Sequence, residues 1–179
     1  MPKLLRWRSA WLTVLLLLGA CGADSGSIQP GIGTPLPTVM LTGLTDPTPT
    51  STEALHSTAL VITFWATWCD PCRREMPSFE RLSHRLAAHG VRVIGVAVDH
   101  DLNLAREFVR THKLTFPIYV DGDRKALQSG LRVVALPETV LVSAEGRIVA
   151  RILGERDWDG AEGARVLEHA FNLRLAPGR

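Results

Sequence analysis

Cys69 and Cys72 stand with only Asp70 and Pro71 between them. Thiols at this spacing admit two chemistries: a redox pair that opens and closes a disulfide, or half of a metal site. A structural zinc site needs about four ligands. The chain has no second C-x-x-C, and its six histidines are scattered, with His84 and His89 reading as helix-surface residues. No metal and no cofactor is expected. The redox alternative has a physical basis. If a helix begins at the pair, the first thiol meets unpaired N–H groups and the positive end of the helix dipole, which favour its thiolate. The thiolate is the species that attacks disulfides. The second cysteine then lies about one turn inward, placed to resolve the mixed disulfide. Pro71 suits the first helical turn, where no N–H is needed.

A helix start can serve this purpose only if other elements aim it. Residues 60–66 (LVITFWA) are a near-continuous apolar run of β-favouring types, which predicts a buried central strand leading into the pair. Residues 70–88 carry Met76, Phe79, Leu82 and Leu86 at helical spacing. Pro77 is expected to kink that helix and Gly90 to end it. Further strands are expected at 91–98, 116–120, 139–142 and 148–153, the last two joined at Ala144-Glu145-Gly146. Helices are expected at 101–113, with Leu104, Phe108 and Val109 as its apolar face, near 125–129 after an Asp121-Gly122-Asp123 turn, and at 157–173. Residues 42–52, rich in Thr, Pro and Gly, read as a loop. The alternation predicts an α/β domain with a mixed sheet and helices on both faces.

The first 20 residues stand apart. Lys3, Arg6 and Arg8 precede an apolar run at 10–18, too short to span a bilayer but suited to a signal-peptide core. Leu18-Gly19-Ala20-Cys21 resembles the lipobox of bacterial lipoproteins, in which the cysteine carries diacylglycerol and becomes the new N-terminus. The alternative is a plain signal peptide followed by a free cysteine. The expected organisation is a signal peptide at 1–20, lipidated Cys21 with a flexible tether to 37, and one domain over 38–179. Removing residues 1–20 takes away three basic and no acidic residues, leaving 17 basic against 18 acidic. Nothing suggests a nucleic-acid surface. Export implies an oxidising compartment, where a lone close cysteine pair is informative. The expected location is the cell envelope, lipid-anchored and facing the periplasm or exterior, with inner versus outer membrane open.

Residues 64–77, Phe-Trp-Ala-Thr-Trp-Cys-Asp-Pro-Cys-Arg-Arg-Glu-Met-Pro, resemble the signature of the thioredoxin-like TlpA/ResA family, which includes the CcmG (DsbE) branch. The likeness continues through Phe116-Pro117, Asp121-Gly122-Asp123 and Leu136-Pro137-Glu138-Thr139, and covers roughly residues 35–175. The resemblance implies a thioredoxin-like fold and a membrane-tethered thiol–disulfide oxidoreductase. Most such proteins are reductants, several of them in cytochrome c maturation. It implies a cis bond before Pro137, with the Leu136 backbone facing substrate, where an ordinary trans proline is the alternative. Pro117 reads as trans. Glu75 matches an acidic residue that the family places near the pair, and could move a proton for Cys72; a solvated helix glutamate is the alternative. Thioredoxin itself carries a buried acid six residues before its first cysteine, where this chain has Thr63. Trp65 and Trp158 read as core residues, and Trp68 as packing that also forms the substrate-facing rim.

Direction follows from charge. Asp70 beside Cys69 disfavours the thiolate, and a less stabilised dithiol gives up electrons more readily; Arg73 and Arg74 oppose this but read as pointing to solvent. The expectation is a dithiol reductase acting on disulfide-containing envelope proteins and recharged by a membrane-embedded electron donor. A peroxidase of the peroxiredoxin type would need Pro at 62 and Thr at 66, where Ile62 and Ala66 stand. A binding or chaperone module of the envelope stays open as the other alternative.

Overall fold

The computed structural model describes residues 31–55, 57–121 and 126–175. The expected signal peptide, Cys21, the first part of the expected tether and Gly122-Asp123 of the expected turn lie outside them. In chain order the elements are β1 (Met40–Gly43), β2 (Pro49–Ser51), a 3-10 turn (Glu53–Leu55), β3 (Ala59–Trp65), α1 (Asp70–Ala87), β4 (Val91–Ala97), α2 (Leu102–Thr111), β5 (Ile118–Asp121), α3 (Ala126–Gly130), β6 (Glu138–Val142), β7 (Ile148–Leu153) and α4 (Ala161–Phe171). The strands form one mixed sheet in the order β2-β1-β5-β4-β3-β6-β7. Strands β3, β4 and β5 run parallel, and β6 runs antiparallel to β3.

Right-handed crossovers between successive parallel strands put α1 and α2 on one face. Their apolar side chains share a core cluster with Trp158 and Leu167 of the C-terminal region. Leu36, Leu55, Leu127 and Leu131 line the opposite face. Strand β3 is covered on both sides: Val61 and Trp65 face α1, while Leu60, Ile62 and Phe64 face away, as strand alternation requires. Met76, Phe79, Leu82 and Leu86 of α1 are fully buried. Each contributes about 1.5–3 kcal/mol relative to exposure, so side chains remote from the cysteines fix where α1 begins. The helix runs through Pro77 as one element and ends before Gly90, which takes φ +67°.

Several expectations need correction. Residues 42–52 are a loop only at 44–48, because β1 pairs with β5 and with β2 on either side of it. Ladder hydrogen bonds override composition there, and Pro49 is tolerated on an edge strand. Folded structure begins before residue 38: Gly33 N–H donates to Ile148 O (2.7 Å), Leu36 N–H to Gly146 O (2.8 Å), and Leu36 is buried. Leu104 is 55% exposed, since the buried stripe of α2 is Ala105, Phe108 and Val109. Helix α4 starts at Ala161, not 157, because Trp158 and Asp159 are bonded to α1 instead.

Candidate active site

Strand β3 ends at Trp65, and the chain turns through 66–68 into α1. Cys69 is the N-cap of α1, in extended conformation, and its Sγ accepts the Cys72 N–H at 3.3 Å. The two cysteines are joined as a disulfide. Cys69 retains 6% exposure and Cys72 is fully buried, so the first cysteine is the less enclosed of the two. Trp68 beside it is 65% exposed. The Leu136–Pro137 bond is cis. Because Phe64 pairs with Glu138, this corner lies one strand over from the 66–72 turn, at the same end of the sheet. Leu136 is half-buried against the cluster that contains both cysteines.

The turn is held by a residue that sequence reasoning missed. Asp99 accepts Thr67 N–H at 3.0 Å on Oδ1 and 3.2 Å on Oδ2, and the Thr67 hydroxyl also donates to it. The signal was in the register. Trp65 pairs with Ala97, so two residues further on Thr67 meets Asp99. Arg73 forms an ion pair with Asp70 and donates to Thr67 O at 3.1 Å. Arg73 is therefore not simply a solvent-facing group, and Asp70 acts on Cys69 as one half of an exposed pair. Its push on the thiolate is weaker than an isolated carboxylate's.

Glu75 is the unusual group. It is 2% exposed, on the buried face of α1, three residues after Cys72. Residues at that spacing lie about 5–6 Å apart at Cβ. Three donors approach its carboxylate: Thr63 Oγ1–H to Oε1 at 3.4 Å, and Arg156 N–H and Trp158 Nε1–H to Oε2, each at 3.3 Å. All are longer than the 2.7–2.9 Å of strong charge-assisted bonds, so they compensate only in part for burial. Burial accordingly pushes the Glu75 carboxyl up to about 7, against hydrogen bonds that pull it down. Thr63 does not replace an acid; it touches one that the helix supplies. Trp158, read as structural, is buried as expected and is also one of these three donors.

Residues 155–159 are tied to the outer side of α1 by charge. Arg74 Nε donates to Glu155 at 2.9 Å, Arg81 Nε to Asp159 at 3.0 Å, and Arg85 also pairs with buried Asp159. Removing a buried partner leaves its cations under-compensated, though Arg81 is half exposed and screened. Asp159→Ala is expected to lower stability by about 2 kcal/mol in urea unfolding. A change within about 0.5 kcal/mol, as for an ordinary surface site, would show that these pairs contribute nothing.

Among the described residues no group of three His, Cys, Asp or Glu is placed to hold a metal ion. A cavity of about 660 Å³ opens beside Asp99, His100 and Arg106, and neither cysteine lines it. Cys69, almost fully buried, is preceded in the chain by the exposed Trp68.

A family model described as Redoxin matches residues 32–167. The thiol-disulfide oxidoreductase ResA of Bacillus cereus is 29% identical over 159 residues, covering 84% of this chain and 91% of the relative. Among solved structures, a thiol:disulfide interchange protein of the thioredoxin family from Chlorobium tepidum TLS aligns with TM-score 0.67 and 24% identity, over 78% of this chain and 97% of its own. A thiol:disulfide interchange protein from Bacteroides sp. aligns with TM-score 0.69 and 21% identity, over 80% and 91%. At such identities the structural likeness speaks for the fold, which is thioredoxin-like.

Proposed function

We propose, from the premise that the chain belongs to the Redoxin family and is a thiol–disulfide oxidoreductase, that it works as a tethered dithiol reductase in the cell envelope. The observation that carries this reading is the asymmetry of the pair: one cysteine less enclosed and next to the exposed Trp68, the other fully buried one turn from the buried Glu75 carboxyl.

The Cys69 thiolate attacks one sulfur of a substrate disulfide, forming a mixed disulfide and releasing the other substrate sulfur as a thiolate, which takes a proton from solvent. The Glu75 carboxylate accepts the Cys72 proton, and the Cys72 thiolate attacks Cys69 Sγ. The Cys69–Cys72 disulfide forms and the second substrate sulfur leaves, protonated in its turn. Two electrons pass to the substrate. The Leu136 backbone before cis Pro137 and the Trp68 indole supply the surface on which the substrate chain lies. Regeneration requires a dithiol donor, and a membrane-embedded one fits a protein anchored through Cys21. The leader at 1–20 and the lipobox-like Leu18-Gly19-Ala20-Cys21 support that anchor. Disulfide-bearing envelope proteins, apocytochromes c among them, are the proposed substrates.

Direction is tested by potential. Among the described residues the cation bonded to the turn is Arg73, and it is paired with Asp70. The Cys69 thiolate therefore has a helix terminus beside it and a cation already neutralised. Redox titration against glutathione is expected to give a value nearer thioredoxin's (about −270 mV) than DsbA's (about −120 mV). Asp70→His, which removes the carboxylate and favours the thiolate, is expected to raise it by about 30–60 mV, at about 30 mV for each tenfold change in equilibrium constant. A wild-type potential above about −180 mV would make the protein an oxidase or isomerase instead.

A further inference from the structure

Trp158 is fully buried and stacks on Phe79 with ring centroids 5.2 Å apart. Both of its N–H groups point at α1. The backbone N–H goes to Ser78 Oγ (3.1 Å), whose hydroxyl donates to Glu75 O (2.7 Å), and Nε1–H goes to Glu75 Oε2 (3.3 Å). A buried indole N–H requires an acceptor, and any backbone carbonyl would serve. Here the acceptor is an ionisable side chain one turn from the resolving cysteine. We propose that Trp158 is a positioning residue for thiol–disulfide exchange: its indole N–H holds the Glu75 carboxylate against the buried face of α1, three residues from Cys72, and favours the ionised form that takes the Cys72 proton. This rests on the reading of Glu75 as proton acceptor.

The surroundings leave that bond few competitors. From β3, Glu75 meets the uncharged Thr63, and from β6 the buried Thr139 stands opposite Thr63. On α1 itself, Arg74 is turned outward onto Glu155. From the 155–159 segment, Glu155 opposes ionisation of Glu75 through charge, while Arg156 offers its backbone N–H and pairs its guanidinium with Glu162 of α4. Asp159 is held by Arg81 and Arg85, and Asp157 lies within 4.0 Å of Arg81. The donors to the carboxylate among the described residues are thus three neutral groups, and its charged form depends on them. Of these, the indole and the Thr63 hydroxyl can be removed by side-chain substitution.

The test follows the resolving step alone. Cys69 of the reduced protein attacks dithiobis(nitrobenzoate), forming the mixed disulfide and releasing one coloured thiolate, and release of the second by Cys72 is timed across pH. The wild type is expected to show a midpoint near neutrality that Glu75→Gln abolishes. Trp158→Phe keeps a ring against Phe79 but has no N–H. It is expected to move that midpoint upward by about one pH unit, the scale of one hydrogen bond to a charged group, with the high-pH rate unchanged. 3-Benzothienylalanine at 158, which puts sulfur in place of N–H in nearly the same shape, should shift it equally, so a folding defect in the Phe variant does not decide the outcome. In the Glu75→Gln background Trp158→Phe should have no further effect. An unshifted midpoint in both variants, or an equal rate loss with and without Glu75, would overturn the positioning role. A wild-type profile without a Glu75-dependent midpoint would overturn the proton-acceptor reading first, and this inference with it.

Discussion

Replacing Cys69 by Ser is expected to lower disulfide reduction by at least about three orders of magnitude, because a hydroxyl at neutral pH is a far weaker nucleophile than a thiolate. Replacing Cys72 by Ser has a different signature. The first attack survives, resolution does not, and the protein accumulates as a mixed disulfide with its substrate. The asymmetry is built by α1: Cys69 caps the helix and keeps a small exposed area, and Cys72 lies inside it with none. Mass spectrometry of the trapped species checks the assignment and identifies what the protein acts on. Limiting alkylation of the reduced wild type should mark Cys69 first. Preferential marking of Cys72 would reverse the roles.

Glu75→Gln is expected to slow the resolving step about 100-fold near pH 7.5, the lower range of general base contributions, while making the protein more stable there. The sign follows from linkage. The carboxyl rises from 4.5 to about 7 on folding. Between those values the folded state binds more protons than the unfolded state, so stability falls as pH rises from about 4.5 to 7 and levels off above. The full span is of the order of 3 kcal/mol. Gln has nearly the same shape. Its oxygen can keep the Arg156 and Trp158 donors, and its amide can donate to Thr63 Oγ1. Urea unfolding at pH 5 and pH 8 should therefore show a stability loss in the wild type that the variant lacks. Equal pH dependence in the two proteins would mean that Glu75 is not the group that titrates.

What was legible in the sequence is what is local or periodic. The run at 60–66 fixed β3, the Met76–Leu86 stripe fixed α1, and Pro71 marked its first turn. With the family resemblance added, Glu75 and the cis bond at Pro137 could be singled out before any coordinates. The misses have different causes. Strands β1 and β2 have four and three residues, too few for period-2 alternation to rise above Pro and Thr content. Leu104 sits one position off the buried stripe, a shift that hydrophobicity alone does not resolve in a ten-residue helix. The bond from Trp158 to Glu75 spans 83 residues and has no local trace, since any buried Trp needs some acceptor.

The first described residues enter the fold at a particular place. Gly33, Thr34 and Leu36 are bonded to the turn and strand around Gly146 and Ile148, and Pro35 bridges Arg147. That hairpin lies beside the start of β3, whereas Cys69 follows its end. Seven residues of strand separate the two, about 23 Å at 3.3 Å per residue. In the proposed anchoring through Cys21 the domain would be held by its keel, with its reactive sulfur at the masthead. Ten peptide steps from Cys21 to Gly31 span at most about 33–36 Å. Under the proposed anchoring, an upright molecule would offer its thiol to proteins out in the compartment and away from the bilayer. Collecting electrons from the proposed membrane-embedded donor would then need the domain to heel over, or the donor to carry its own dithiol up to meet it, so loading and delivery would occupy different postures of one tethered body.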